Sequence, residues 1–379
     1  MINDVLVKPL DGADPWPGSD TRAAILSRPG GSAANQAAWM ARFGADVVFA
    51  GRAGVRDAAY HRRELARAGA RAHLAADRDA ETGSIVIMVA PDGERTMFSD
   101  RGANLRLRRS DVPARLFDGA AALHLTGYTF CEPALLEVAL WLVGQARARG
   151  MAFTVDPGSA AFLARMEPDA FLSYTEGAAV CFPNRDEAAI LTGEADPMVM
   201  AARLTRHYGV AVVKLGAAGC VLAVPGEPSV PIAACPAQVT DTTGAGDAFC
   251  GAFLSRWLAR APAGPAPADL IAAAEFAARS AATVVTRFGA RPLLLQHCRL
   301  SLVTPASSLS FVTPASAHSL VNRHSLRITP SIPPLACSLR RITRMISVNG
   351  KDPGYGEIRL HHGPPEMTQS LFLPRSRAS

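Results

Sequence analysis

The run Asp241 to Asp247 (DTTGAGD), with the apolar segment Ala248 to Leu258 directly behind it, constrains the chain more than any other stretch. A turn of small residues that opens onto a hydrophobic helix leaves the first-turn N–H groups without helical acceptors. It aims them, with the positive helix end, at one place in space. That place suits an anion. Gly244 and Gly246 allow close backbone approach, Ala245 adds little bulk, and Asp247 puts a carboxylate in the first turn. Phosphoryl transfer uses such a pairing of anion donors with a proton acceptor, because its catalysis is mostly positioning and charge stabilisation. Taken alone, Asp247 reads equally well as a charge complement to a helix start.

Two other phosphate motifs are excluded by inspection. A Walker A loop ends in Lys followed by Ser or Thr, and the lysines here, Lys8, Lys214 and Lys351, are not so followed. A dinucleotide fingerprint needs a third glycine three residues after the second, where this chain has Phe249.

The stretch DTTGAGDAFCGAF resembles the C-terminal signature of the ribokinase-like (PfkB) carbohydrate kinases. The resemblance implies a three-layer α/β/α fold with a mostly parallel central sheet and a small β lid. It also implies Asp247 as catalytic base and the amides of Gly244, Ala245 and Gly246 as anion hole. A second signature, GGxxxN, is matched in Pro29 to Gly44 (PGGSAANQAAWMARFG), a glycine pair leading into a helix ended by Gly44. By residue type Asn35 needs no explanation beyond a first-turn polar residue. By resemblance, Gly30, Gly31 and Asn35 are substrate ligands, and an amide can donate and accept towards vicinal hydroxyls.

Charge and cysteine content exclude other classes. The formal charge is +6, yet from Gln296 onward there are ten Arg or Lys against three Asp or Glu, so the excess lies in the tail and no basic groove is implied. Seven cysteines form no CxxC pair, against a zinc ribbon or disulfide framework and in keeping with reduced thiols in the cytoplasm. No apolar run reaches the length of a membrane span. Neither nucleic acid nor membrane is expected as a partner; a small sugar, ATP and a second copy in a homodimer are.

Along the chain, Ile2 to Val7 reads as a strand carrying Asp4, which resembles the family's sugar-contacting Asp. The glycine that precedes that Asp in the family has no counterpart after Met1, so the first strand reads as truncated. Lys8 to Arg28 is Pro, Gly and Asp rich, with a strand at Arg22 to Leu26. Val47 to Ala50 reads as a strand and Ala58 to Ala68 as a helix. Gly83 to Val89 and Arg95 to Asp100 read as a hairpin across Pro91-Asp92-Gly93. With residues 5–28, residues 83–104 make up the expected lid, and Asn104 is either a turn residue or, by resemblance, close to substrate.

Beyond the lid, strands at Ala122 to Leu125, Ala152 to Val155 and Ala179 to Phe182 alternate with helices at Pro133 to Arg149 and near Ala160 to Ala164. That alternation predicts a parallel sheet covered on both faces, with ligands at the strands' C-terminal ends near Gly127, Asp156 and Asn184. Asn184 and Glu187 have the spacing of a helix capping box. By resemblance they also organise Mg²⁺, through water, and the phosphates. Val210 to Leu215 predicts a strand that carries Lys214 near its end, where a lysine's ordinary fate is exposure. The resemblance makes Lys214, Gly216, Gly219 and Thr242 nucleotide neighbours and Asp241 a helper of a monovalent cation, K⁺. Asp269 to Thr283 reads as a helix.

From about Leu293 the composition turns to Pro, Ser, His and Arg without sustained period, which predicts disorder. A lost reading frame accounts for that change better than a basic interaction tail. The expected kinase domain is therefore residues 1–292 and the tail 293–379. The resemblance implies transfer of the ATP γ-phosphoryl group to a sugar hydroxyl. A nucleoside kinase of the same superfamily, or a non-catalytic sugar or nucleotide binder, are the competing readings.

Overall fold

Strands whose successive residues are apolar need cover on both faces, and the middle of this chain is built that way. The computed structural model describes residues 1–10, 18–90, 95–260 and 265–292. The hairpin turn expected at 91–93 and the tail expected from 293 lie outside the described residues.

In chain order the elements are β1 (Ile2–Pro9), β2 (Ala23–Gly30), α1 (Ser32–Arg42), β3 (Val48–Gly54), α2 (Ala58–Arg67), β4 (Arg71–Asp77), β5 (Thr82–Val89) and β6 (Arg95–Gly102). Then come β7 (Ala122–Thr126), α3 (Tyr128–Cys131), α4 (Pro133–Ala148), β8 (Ala152–Asp156), α5 (Ala160–Leu163), α6 (Pro168–Thr175), β9 (Val180–Cys181) and α7 (Arg185–Thr192). The last are α8 (Pro197–Leu204), β10 (Ala211–Lys214), β11 (Cys220–Ala223), β12 (Val230–Ile232), α9 (Ala245–Leu258) and α10 (Pro267–Val284).

The largest sheet has the order β12-β11-β10-β9-β8-β7, with β7 to β10 parallel and the β11 and β12 pairings antiparallel. Its strands sort their side chains by parity. Val180, Phe182, Val212, Cys220 and Leu222 pack with α1, α9 and α10 in one cluster. Cys181, Ala211, Val213, Val221 and Ala223 pack with α4, α6, α7 and α8 in another. Helices thus cover both faces and the layers number three. β3 and β4 form a separate parallel pair.

A four-stranded sheet, β2-β1-β5-β6, stands apart from these. β1 lies inside it, antiparallel to β2 and parallel to β5. On one face the register aligns Leu26, Leu6, Ile87 and Met97 in a row beside Asp4; the other face carries Ile25, Val5, Val7, Val86 and Phe98.

Sequence reading passed over β4, β12 and the short α3, and also the helices α6 and α8. The two helices carried usable signals: each has Pro at its first position, and Asp196 caps α8 by accepting from the Met198 N–H. β4 (RAHLAAD) had no such mark, because only Leu74 and Asp77 of it are buried.

Candidate active site

Helix α9 begins at Ala245, directly after Gly244, whose left-handed backbone (φ 79°) sits against Ala290 with no room for a side chain. The Ala245 N–H donates to the Thr242 carbonyl. Of the three amides expected in the anion hole, those of Gly244 and Gly246 therefore keep their capacity, and the described residues offer neither an acceptor. Asp247 follows in the first turn.

α1 meets α9 closely because Gly251 has no side chain: a Cβ there would come within 2.6 Å of the Trp39 Cβ. That approach sets the start of α1 over the start of α9. Ser32 Oγ donates to Asp247 Oδ1 at 2.7 Å, and Asn35 Nδ2 donates to Oδ2 at 2.9 Å. Gln36 Nε2 reaches Asp247 Oδ1 (3.1 Å) and Asp156 Oδ2 (2.6 Å). The Asp247 carboxyl is pushed up to about 6, chiefly by burial, while the bonds from Ser32 and Asn35 pull it down.

Beneath it runs a buried polar chain. Asp156, at the end of β8, accepts from Lys214 Nζ at 3.0 Å. Burial opposes the Lys214 charge most strongly, but Asp156 together with Cys250 and Glu187 outweighs it and holds the ammonium above its usual range. Lys214 is thus not an exposed strand-end residue. Its ammonium lies under the turn, 3.7 Å from where a Gly246 Cβ would stand. Burial keeps His124 neutral, lowered to about 4; its Nε2–H donates to Gln36 Oε1 at 2.6 Å and Nδ1 accepts from the Thr154 hydroxyl.

Asp4 faces this centre from the lid sheet. Its carboxyl covers the α-carbon of Gly30 and is pushed up to about 6, first by burial and then by the charge of Asp247. Gly31 takes φ 90° at the α1 N-cap, where its carbonyl accepts the Asn35 N–H. Asp4, Gly30, Gly31, Asn35 and Asp247 are therefore brought together at the start of α1.

Asn104 does not join them. Its Nδ2 donates to the carbonyls of Met1 and Arg101 and its Oδ1 accepts from the Met1 amine, so the whole amide clamps backbone. That is the turn-anchoring alternative. Asn184 and Glu187 form a complete capping box on α7: Glu187 accepts from the Asn184 N–H and Nδ2 at 2.8 Å each, and Asn184 Oδ1 accepts from the Glu187 N–H. Burial raises Glu187 to about 7.

Gly216 opens to free space, whereas Gly219 is wedged against the Ile232 carbonyl and serves packing. Thr242 is exposed at the turn. Asp241 is buried, and its carboxylate accepts from the backbone N–H groups of Thr243 (2.8 Å) and Gly289 (3.1 Å), which ties the turn to the loop after α10.

Among the described residues no cluster of three or more His, Cys, Asp or Glu side chains could hold a metal ion, and no helix is long and apolar enough to cross a membrane.

Sequence reasoning missed Arg291. Its Nε donates to Asn35 Oδ1 and its Nη2 to the Gly30 carbonyl, each at 3.1 Å. Gln36 and Ser32 were missed too, although Ser32 stands inside the GGxxxN signature and Gln36 directly follows it.

Comparison with known proteins agrees with this arrangement. The profile of the pfkB family carbohydrate kinases matches residues 10–297. A ribokinase of Mus musculus is 33% identical over 46% of this chain and 54% of its own length. A bifunctional ribokinase/ribose-5-phosphate isomerase A of Fructilactobacillus sanfranciscensis is 29% identical over 61% of this chain and 42% of its own. The chain thus spans about half the length of these curated relatives. An ATP-dependent ribose-1-phosphate kinase of Halopiger xanaduensis is 29% identical over 73% and 88%. Among solved structures, an adenosine kinase from Sinorhizobium meliloti superposes with TM-score 0.66 at 24% identity, over 77% of this chain and 93% of that one. A ribokinase from Giardia lamblia gives 0.64 at 24%, over 76% and 92%, so the fold is ribokinase-like. With a carboxylate at the mouth of α9 and a family profile spanning most of its length, the chain belongs to the pfkB family of carbohydrate kinases.

Proposed function

We propose that the chain transfers the γ-phosphoryl group of ATP to a hydroxyl of a small, uncharged carbohydrate. One observation carries this reading: the Asp247 carboxylate stands in the first turn of α9, just after Gly244 and Gly246, with the start of α1 bonded to it and Asp4 close by. Asp247 takes the proton of the attacking hydroxyl as the oxygen bonds to phosphorus, and the amides hold the charge on the transferring group. Asp4 orients the sugar by accepting from its hydroxyls. Lys214, fixed by Asp156 under the turn, adds positive charge beside the phosphates.

Glu187 spends both oxygens on Asn184, so these residues fit a divalent ion only as the nucleotide's own, hydrated ion with Glu187 as a charged wall. When bound, Mg²⁺ neutralises charge on the phosphates. For K⁺, Asp241 fits as the residue that shapes the loop, since its carboxylate serves the backbone of Thr243 and Gly289.

Residues 1–292 act as the kinase domain in this reading, with the β2-β1-β5-β6 sheet as lid over the acceptor. The work is cytoplasmic. The lid's outer face exposes Ile25 and Phe98, at 68% and 57%, which supports a homodimer through that face, to be checked by light scattering.

The activity is tested by ADP release from the purified chain with D-ribose, D-fructose and adenosine. Turnover of a sugar supports the proposal. Turnover of adenosine alone makes the chain a nucleoside kinase. Thermal stabilisation by a sugar or ATP without ADP makes it a binder.

A further inference from the structure

Arg291 comes from the loop that follows α10, and its position is built rather than incidental. The Ala290 carbonyl accepts from Trp39 Nε1 at 2.8 Å, and the Ala290 side chain packs on Gly244. These contacts bring the guanidinium to the start of α1, where Asn35 and the Gly30 carbonyl bind two of its nitrogens. The third, Nη1, is buried and has no hydrogen-bond partner among the described residues. Burial lowers Arg291 to about 10, against the pull of the charges around it: Asp4, Glu64, Tyr60 and Asp247. A buried charged donor without an acceptor is costly, and a ligand oxygen is its natural complement.

The neighbouring groups say what kind of oxygen. Asn35 uses Nδ2 on Asp247 and Oδ1 on Arg291, so its amide is largely spent on the protein. Asp4 and Asp247, when ionised, only accept. Donors to the acceptor molecule are therefore scarce here, and Arg291 supplies one. Two carboxylates against one guanidinium leave the neighbourhood short of positive charge, which disfavours an anionic acceptor.

Resting on the kinase reading above, we infer that Arg291 is an acceptor-binding and specificity-determining residue. Its Nη1 donates to a non-reacting oxygen of a neutral polyol whose neighbouring hydroxyl donates to Asp4. Removing either partner of that bond, the nitrogen or the sugar oxygen, loses the same increment of binding.

The experiment is steady-state ADP release by the full chain and its Arg291→Met and Arg291→Lys variants. The probes are D-ribose, D-fructose and adenosine, then every monodeoxy analogue and the phosphate ester of whichever is used. Arg291→Met is expected to raise the acceptor KM about ten-fold or more and leave the ATP KM within about two-fold. One monodeoxy analogue should suffer a similar loss with the parent and none with Arg291→Met. Arg291→Lys should recover little, because the ammonium cannot keep the forked contacts to Asn35 and Gly30.

An equal rise in the ATP KM, unaltered discrimination in Arg291→Met, or a preference for the phosphate ester overturns the inference. If Arg291→Met does not fold, the parent decides: no discrimination against any monodeoxy analogue refutes it. Absence of ADP with every acceptor sinks the kinase reading instead. Arg291 is then judged by whether the same probes thermally stabilise the parent and not the variants.

Discussion

Gly30→Ala separates Asp4's proposed role from the general packing of the lid. A methyl carbon at residue 30 would lie within 3.0 Å of the Asp4 carboxyl carbon and both carboxyl oxygens. The Asp4 backbone cannot retreat easily, since it is paired with Arg28 on one side and Ile85 on the other. The carboxyl must rotate away by about 1 Å or more, and misplacement on that scale costs about 10²-fold in rate, or about 2.7 kcal/mol of transition-state binding. The assay is kcat/KM for the acceptor, with the ATP KM as internal control. Asp4→Ala should lose at least as much as Gly30→Ala. In the Asp4→Ala background, Gly30→Ala should cost less than about three-fold more, because the group it displaces is gone. A further loss of about 10²-fold in the double variant, or no loss in Gly30→Ala alone, refutes the reasoning.

Two other outcomes follow from the site. Burial raises both Asp247 and Asp4 to about 6, so kcat/KM should be level above pH 7 and fall as the pair takes up protons, with an apparent midpoint near 6; a profile level down to pH 5 contradicts this. Lys214→Met leaves the Asp156 carboxylate buried without its cation and should destabilise the fold by about 3–5 kcal/mol in urea unfolding, whereas a change below about 1 kcal/mol would show that the pair carries no such weight.

What the sequence disclosed follows from how local each signal is. The turn at 241–247 was legible because its chemistry is carried by backbone and small residues in one run, and the family resemblance assigned its Asp. The parallel strands were legible because both parities are apolar, the mark of burial on two faces. The Asn184 and Glu187 spacing announced a cap, and a cap is present. Lys214 was harder, since its burial depends on Asp156, a partner on another strand.

Arg291 was out of reach. It meets Asn35 across 256 residues of chain, and nothing near either residue marks the other. Asn104 shows the converse, because a turn-forming residue type gave no sign that its amide would be consumed by Met1 and Arg101. Gln36 sat in plain view beside Asn35, yet only the approach of α1 to α9 at Gly251 makes it a partner of Asp247 and Asp156.

The central claim is that the Asp247 carboxylate removes the acceptor's proton. Asp247→Asn nearly preserves shape and keeps one of the two acceptor oxygens that Ser32 and Asn35 use, but it is no base. Single-turnover ADP formation in that variant, measured beside ATP binding by calorimetry, is the most direct test. The account predicts a loss of about 10³-fold or more in the chemical step with the ATP Kd within about three-fold of the parent. Equal rates in variant and parent would contradict it.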